Sequence, residues 1–214
     1  IYSQTKIFYL PHEDNIVFNS DSNSLVQSNV YFFIEAPKNS IKQPLFGLYS
    51  MPFSVLARIL SKVLFFIPNG YVILLAIIQV FLLQISLIFI SRMMNLKSVS
   101  KLLFLILLNC TYPVFLFSLT YEQYLFAVFW LILFIYSSLF QKENKEYYYI
   151  GAAGSMLTSG ILFPLLSYSK KVSEWIKDIF FYGGKFIFTA AIFGQLPIIL
   201  NPIQDIQHQL NNWS

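Results

Sequence analysis

Three carboxylates are candidates for taking a proton from a reacting hydroxyl: Asp21 and Asp14 in a polar stretch near the start, and Glu122, the one charged residue between Lys101 and Lys142. A general base must be titratable and within hydrogen-bond reach of the proton it removes, so a carboxylate tethered beside a membrane or cleft suits the role. Asp21 stands in Asn19-Ser20-Asp21-Ser22-Asn23-Ser24, a composition that also makes turns and helix caps. For an anionic substrate the available cations are Lys38, Lys42 and Arg58. A guanidinium holds a phosphate through two parallel hydrogen bonds, whereas the lysines act as point charges, and headgroup anchoring is the competing role for both types. His12 beside Glu13 and Asp14 leaves a divalent metal open, but the two histidines have no fixed ligand spacing, so no metal ligand is assigned. Cys110, the single cysteine, lies inside an apolar run and can build neither an internal disulfide nor a thiolate metal site.

The chain that has to position these groups is mostly apolar: 57% of its 214 residues are hydrophobic, 11% are charged, and the mean hydropathy is +0.62. This composition predicts an all-α integral membrane protein, a polytopic transmembrane helix bundle with a long first outer loop containing short interfacial helices. Residues 1–50 read as the extramembrane loop, with Pro11, Pro37 and Pro44 among runs of Asn, Ser and Asp. Residues 51–214 read as the bundle, truncated at both ends. Its uncharged runs are Val63 to Ser91, Leu102 to Tyr121, Gln123 to Gln141, Tyr147 to Ser169 and Phe186 to Gln204, each near the ~20 residues that cross a hydrocarbon core as helix. The net charge of +4 does not point to nucleic acid, because the basic residues are dispersed and several flank the apolar runs.

From Leu45 to Phe66, Ser50, Ser54, Arg58, Ser61 and Lys62 recur every three to four residues, the pattern of an amphipathic interfacial helix opened by Pro44. Pro68-Asn69-Gly70 ends it, and Tyr71 to Ser91 forms a clean span whose Arg92, Lys97 and Lys101 mark a cytoplasmic loop. Leu102 to Thr120 returns with a kink at Pro113, Tyr121 to Tyr124 forms an outer turn, and Leu125 to Phe140 completes a helical hairpin. Tyr149 to Tyr168 carries Gly151, Gly154 and Gly160, small faces suited to close helix contact. We read this element as a full crossing, which puts Lys170, Lys171 and Lys177 outside against the positive-inside tendency; a re-entrant path would keep them cytoplasmic. Ser173 to Phe181 reads as interfacial helix anchored by Trp175, and Gly183-Gly184 is expected to loosen the chain before the last run.

The string Val17-Phe18-Asn19-Ser20-Asp21-Ser22, followed by Lys42-Gln43-Pro44-Leu45-Phe46-Gly47-Leu48 and Pro52, resembles the first outer loop of membrane glycosyltransferases of the GT-C superfamily. Gln43 stands where those families commonly have histidine, and no arginine closely follows Asp21. The resemblance implies that Asp21 is the base of an inverting transfer from a polyprenyl-phosphate sugar to a lipid, glycan or protein acceptor. It also implies a helix along the membrane after the loop, and a place in an envelope membrane, expected to be a bacterial plasma membrane. A lipid-linked donor agrees with the lack of nucleotide-binding strings in the chain. No cofactor is assigned beyond that donor. The alternative function is a polytopic transporter or flippase for an envelope precursor, for which buried ionisable groups near helix breaks are the expected sign.

Overall fold

Proline and glycine set the limits of the first two helices. Pro44 precedes a helix at Phe46, and the turn through Pro68 releases the chain into the next at Gly70. In the computed structural model of the chain, residues 43–68, 70–119, 124–140, 142–167 and 170–193 are described. The regular elements among them are all helical: α1 Phe46–Val63, α2 Gly70–Met93, α3 Ser98–Asn109, α4 Tyr112–Leu119, α5 Tyr124–Leu139, α6 Lys145–Ser155, a 3-10 helix Leu157–Ser167, and α7 Val172–Ile192. This is an all-α fold.

Of the five apolar runs expected to span, α2 alone among the described helices is long and apolar enough to cross a membrane. Its 24 residues give a rod of about 36 Å. Elsewhere the runs are interrupted. Cys110-Thr111 separates α3 from α4 just before Pro113, a full break where a kink was expected. Met156, in extended backbone at φ −154° and ψ 105°, divides the Tyr147 to Ser169 run into α6 and the 3-10 helix. Gly183-Gly184, expected to loosen the chain, lies inside the continuous α7, where no other atom crowds either glycine.

The Tyr147 to Ser169 run, read as one crossing, is two short helices folded into a hairpin around Met156. Lys145 Nζ at the start of α6 donates to the Leu166 carbonyl near the end of the 3-10 helix, so both ends of the hairpin lie together. An α-helix rises about 1.5 Å per residue and a 3-10 helix about 2.0 Å, so the two arms span comparable lengths and the chain returns to the level where it began.

The core gathers on α2 and α5. Val72, Leu75, Gln79, Leu82 and Ser86 put buried side chains on α2 at intervals of three and four. Leu75 and Leu82 cluster with Phe126, and Phe89 meets Tyr136 at 4.7 Å, so α2 and α5 run parallel. Beyond α5 the chain reverses into α6, where Phe134 and Tyr149 rings lie 5.3 Å apart. At the end of α2, Asn95 takes the left-handed conformation at φ 48°, which an asparagine tolerates and which turns the chain toward α3.

Two ends of the assembly follow. One holds Arg92, Lys97, Lys101, Lys145, Lys170 and Lys185, with Lys170 paired to Asp178 and Lys185 to Glu146. The opposite end is crossed by α1. Its Phe46 touches Phe126 near the start of α5 at 6.0 Å, its Ala57 clusters with Val72 and Leu75 near the start of α2, and its Leu45 lies on Gly154 near the end of α6.

Small polar side chains are buried among the apolar core, Ser50, Ser54, Gln79, Ser86, Ser137 and Ser155 among them, while Ile59, Val63, Ile77, Phe81, Leu107 and Phe180 are exposed, and α3 buries none of its residues. The helical serines hydrogen-bond their own backbone: Ser54 to the Met51 carbonyl at 3.0 Å, Ser86 to Leu82 at 2.8 Å and Ser137 to Phe134 at 3.0 Å. The Ser50 and Ser54 side of α1 therefore faces protein, whereas an interfacial helix was expected to turn its polar face to water.

Candidate functional site

The seat of α1 is made by two glycines on α6. A Cβ on Gly154 would stand 2.6 Å from Leu45 Cβ, and one on Gly151 would stand 2.7 Å from Tyr49 Cε1. Only a bare backbone at these positions admits α1 this closely. Contact at this range also lets the Leu45 N–H donate to the Gly154 carbonyl at 2.8 Å. That bond joins an orphan donor at the start of one helix to an orphan acceptor near the end of another. Gln43 and Pro44 are buried beside this joint, so the string that carried the resemblance is the anchored start of α1.

Along α6 the Tyr49 ring lies over Gly151, and its hydroxyl donates to the Tyr147 carbonyl at 3.5 Å. Trp130 of α5 meets the Tyr49 ring edge-on at 5.0 Å and the Tyr147 ring at 5.9 Å. These aromatics, with Met51, Pro52 and Phe53 of α1, Ile150 of α6 and Thr189 of α7, line a cleft of about 520 Å³. Thr189 donates to the Lys185 carbonyl at 2.8 Å, and the Trp130 indole N–H is buried with no hydrogen-bond partner among the described residues. Among the described residues the lining of the cleft is mostly apolar and includes no carboxylate, so it suits an apolar chain or ring.

Arg58 is the one predicted site residue inside the described structure. It lies half-buried on α1 with its guanidinium 5.5 Å from the Tyr71 ring centre, while Ser61 donates to its carbonyl at 2.8 Å. A cation over an aromatic face is held in place without losing its charge. Arg58 and, one turn on, exposed Lys62 are the cationic side chains of the α1 end among the described residues. Asp14, Asp21, Lys38, Lys42 and Glu122 lie outside the described residues, as do His12 and Glu13. Among the described residues no cluster of three His, Cys, Asp or Glu stands ready to hold a metal ion.

At the far end, Lys170 pairs with Asp178 at 3.1 Å and Lys185 with Glu146 at 3.2 Å. Lys185 also stands 4.4 Å from the Phe181 ring centre. Burial, and then the neighbouring Lys170 charge, lower the Lys145 pKa below the usual lysine value. Burial first, then Glu146 by its charge and hydrogen bond, push the Tyr182 hydroxyl up to about 12. The glycines were legible as small faces, but Tyr49 and Trp130 carried no signal as cleft walls, since aromatics are common throughout this chain.

Comparison of the chain with protein-family models, characterised proteins and solved structures returned no match.

Proposed function

We propose that this chain is the membrane-embedded part of an inverting glycosyltransferase, a multi-pass protein of a bacterial plasma membrane. It moves a sugar from a polyprenyl-phosphate donor to a lipid, glycan or protein acceptor at the outer face. The observation that carries the reading is the placement of α1, which lies across the starts of α2 and α5 and the end of α6, opposite the lysine-rich end. A helix so placed is what the resemblance of Gln43 to Leu48 requires. It also sets the segment carrying Asp21 just ahead of that helix in sequence.

Support for the membrane part is the set of large apolar side chains left on the outside of the described helices, Phe81, Leu107 and Phe180 among them, together with α2, which is long and apolar enough to cross a bilayer. The lysine-rich end then faces the cytoplasm, and α6 with the 3-10 helix enters from that side and returns to it.

In the proposed reaction Asp21 takes the proton of the acceptor hydroxyl as its oxygen attacks the anomeric carbon. The bond from that carbon to the donor phosphate breaks, and polyprenyl phosphate leaves. Arg58, with Lys38 and Lys42, offsets the phosphate charge. Asp14 and Glu122 are the other carboxylates assigned to this face. The test is transfer of labelled sugar from polyprenyl-phosphate donors in membranes containing the full-length protein, wild type against Asp21→Asn at matched expression. Transfer should vanish in the variant while insertion is retained. Full transfer by Asp21→Asn removes Asp21 from the role of base, and no transfer by wild type with any donor removes the enzyme reading.

A further inference from the structure

The first half of α7 combines an exposed apolar stripe, flanking lysines and a tryptophan packed on the neighbouring helix. Val172, Ile176 and Phe180 recur every four residues and are exposed at 70%, 43% and 78%, a continuous apolar stripe along the outside of the helix. Beside that stripe stand Lys171 and Lys177, both exposed and making no ion pair among the described residues. Trp175 turns the other way, half-buried, with its ring 5.7 Å from that of Phe163 on the 3-10 helix.

Asp178 is bound by Lys170 and Glu146 by Lys185, while exposed Glu174 stands one turn from both Lys171 and Lys177, so this outward face carries two lysines against one carboxylate, a net positive charge. An exposed apolar stripe flanked by lysines in excess over carboxylates and backed by an aromatic is the complement of a bilayer surface whose headgroups are negative. A soluble partner would bury the stripe but would not need the cations, and a second copy of the same helix would bring like charges together.

We propose that the first half of α7 is a platform that binds anionic lipid headgroups, Lys171 and Lys177 meeting their phosphates while Val172, Ile176 and Phe180 enter the acyl region beneath. The platform rests on the membrane reading above and deepens it by selecting the lipid class at this end. By holding α7 to the surface it also holds Lys185, and through its pair with Glu146 the start of α6.

The experiment uses the full chain in nanodiscs of phosphatidylcholine and phosphatidylglycerol and reads Trp175 fluorescence, with the signal of a Trp175→Phe variant subtracted. One lipid or the other carries bromine on its acyl chains as quencher. Brominated phosphatidylglycerol should quench several-fold more strongly per mole than brominated phosphatidylcholine at low salt. The preference should fall by up to about fivefold for each lysine removed in Lys171→Gln and Lys177→Gln, and high salt should reduce it similarly. Lys97→Gln makes the same charge change on the loop after α2 and should leave the preference intact. Equal quenching by the two lipids in wild type overturns the platform while leaving the membrane reading standing. An equal loss in Lys97→Gln also overturns it, because the preference then reports net charge alone. Absence of quenching by either lipid contradicts the membrane reading as well, and Trp175 protection that grows with protein concentration replaces lipid by a second copy.

Discussion

At the α1 end, Leu45 and Tyr49 lie on the bare backbones of Gly154 and Gly151, and the surrounding contacts are rings and aliphatic chains. At the lysine-rich end, Lys170 to Asp178 and Lys185 to Glu146 join elements through long, partly exposed side chains. One end is held by shape and the other by charge. Steric fit at glycine is strict, because a Cβ there would stand 2.6 to 2.7 Å from Leu45 or Tyr49 and the packed neighbours would have to shift. Exposed ion pairs are individually weak and screened by salt. Tyr49 links the two, since its hydroxyl reaches the Tyr147 carbonyl beside Glu146.

The largest expected effect is at the centre of the seat. Tyr49→Ala removes a ring packed on Gly151 and Trp130 and should cost about 3–5 kcal/mol, read as a lowered unfolding temperature in nanodiscs with loss of sugar transfer. A variant as stable as wild type would mean that α1 is not seated there. Next is Gly154→Ala, whose methyl would meet Leu45 Cβ at 2.6 Å and force α1 off the joint, at about 1–3 kcal/mol. Unchanged stability in this variant would erase the contrast between the two ends.

At the charged end Glu146→Gln should cost less than about 1 kcal/mol and should lose even that in high salt. A salt-independent loss as large as that of Gly154→Ala would mean the hairpin is held as rigidly as the seat. The smallest effect is one of pH. The Tyr182 hydroxyl is raised from 10.0 to about 12, so within that window the unfolded chain releases a proton that the folded chain keeps, and stability falls as pH rises through it. Tyr182→Phe should flatten this alkaline decline in the unfolding temperature; an unaltered slope would assign the decline to another group.

Local punctuation was legible in the sequence and long-range closure was not. Pro44 and the recurring small polar residues placed α1 within a few residues of Phe46–Val63, and Pro68-Asn69-Gly70 with Arg92 bracketed α2. The turn at Met156 escaped because neither glycine nor proline marks that residue, and the contact that reveals it joins Lys145 to Leu166 across the hairpin. Gly183-Gly184 misled for the opposite reason. Glycine weakens a helix by roughly 1 kcal/mol per residue, which the contacts of Lys185 and Phe186 on either side of the packed face can offset. Arg58 lies on α1 over Tyr71 and does not line the cleft. The cleft was not legible, because Tyr49 and Trp130 become neighbours only through the glycines of α6.

The most direct test of the two-ended arrangement is labelling by a membrane-impermeant maleimide in sealed, right-side-out vesicles, on a Cys110→Ser background that removes the one exposed thiol. Single cysteines replace Lys62 at the α1 end, Lys97 after α2, and Lys170 after the hairpin. The arrangement predicts that Lys62→Cys labels in intact vesicles, while Lys97→Cys and Lys170→Cys label only after permeabilisation. Labelling of Lys170→Cys together with Lys62→Cys would mean that α6 and the 3-10 helix cross the membrane. Labelling of Lys62→Cys and Lys97→Cys from the same side would contradict the separation of the two ends.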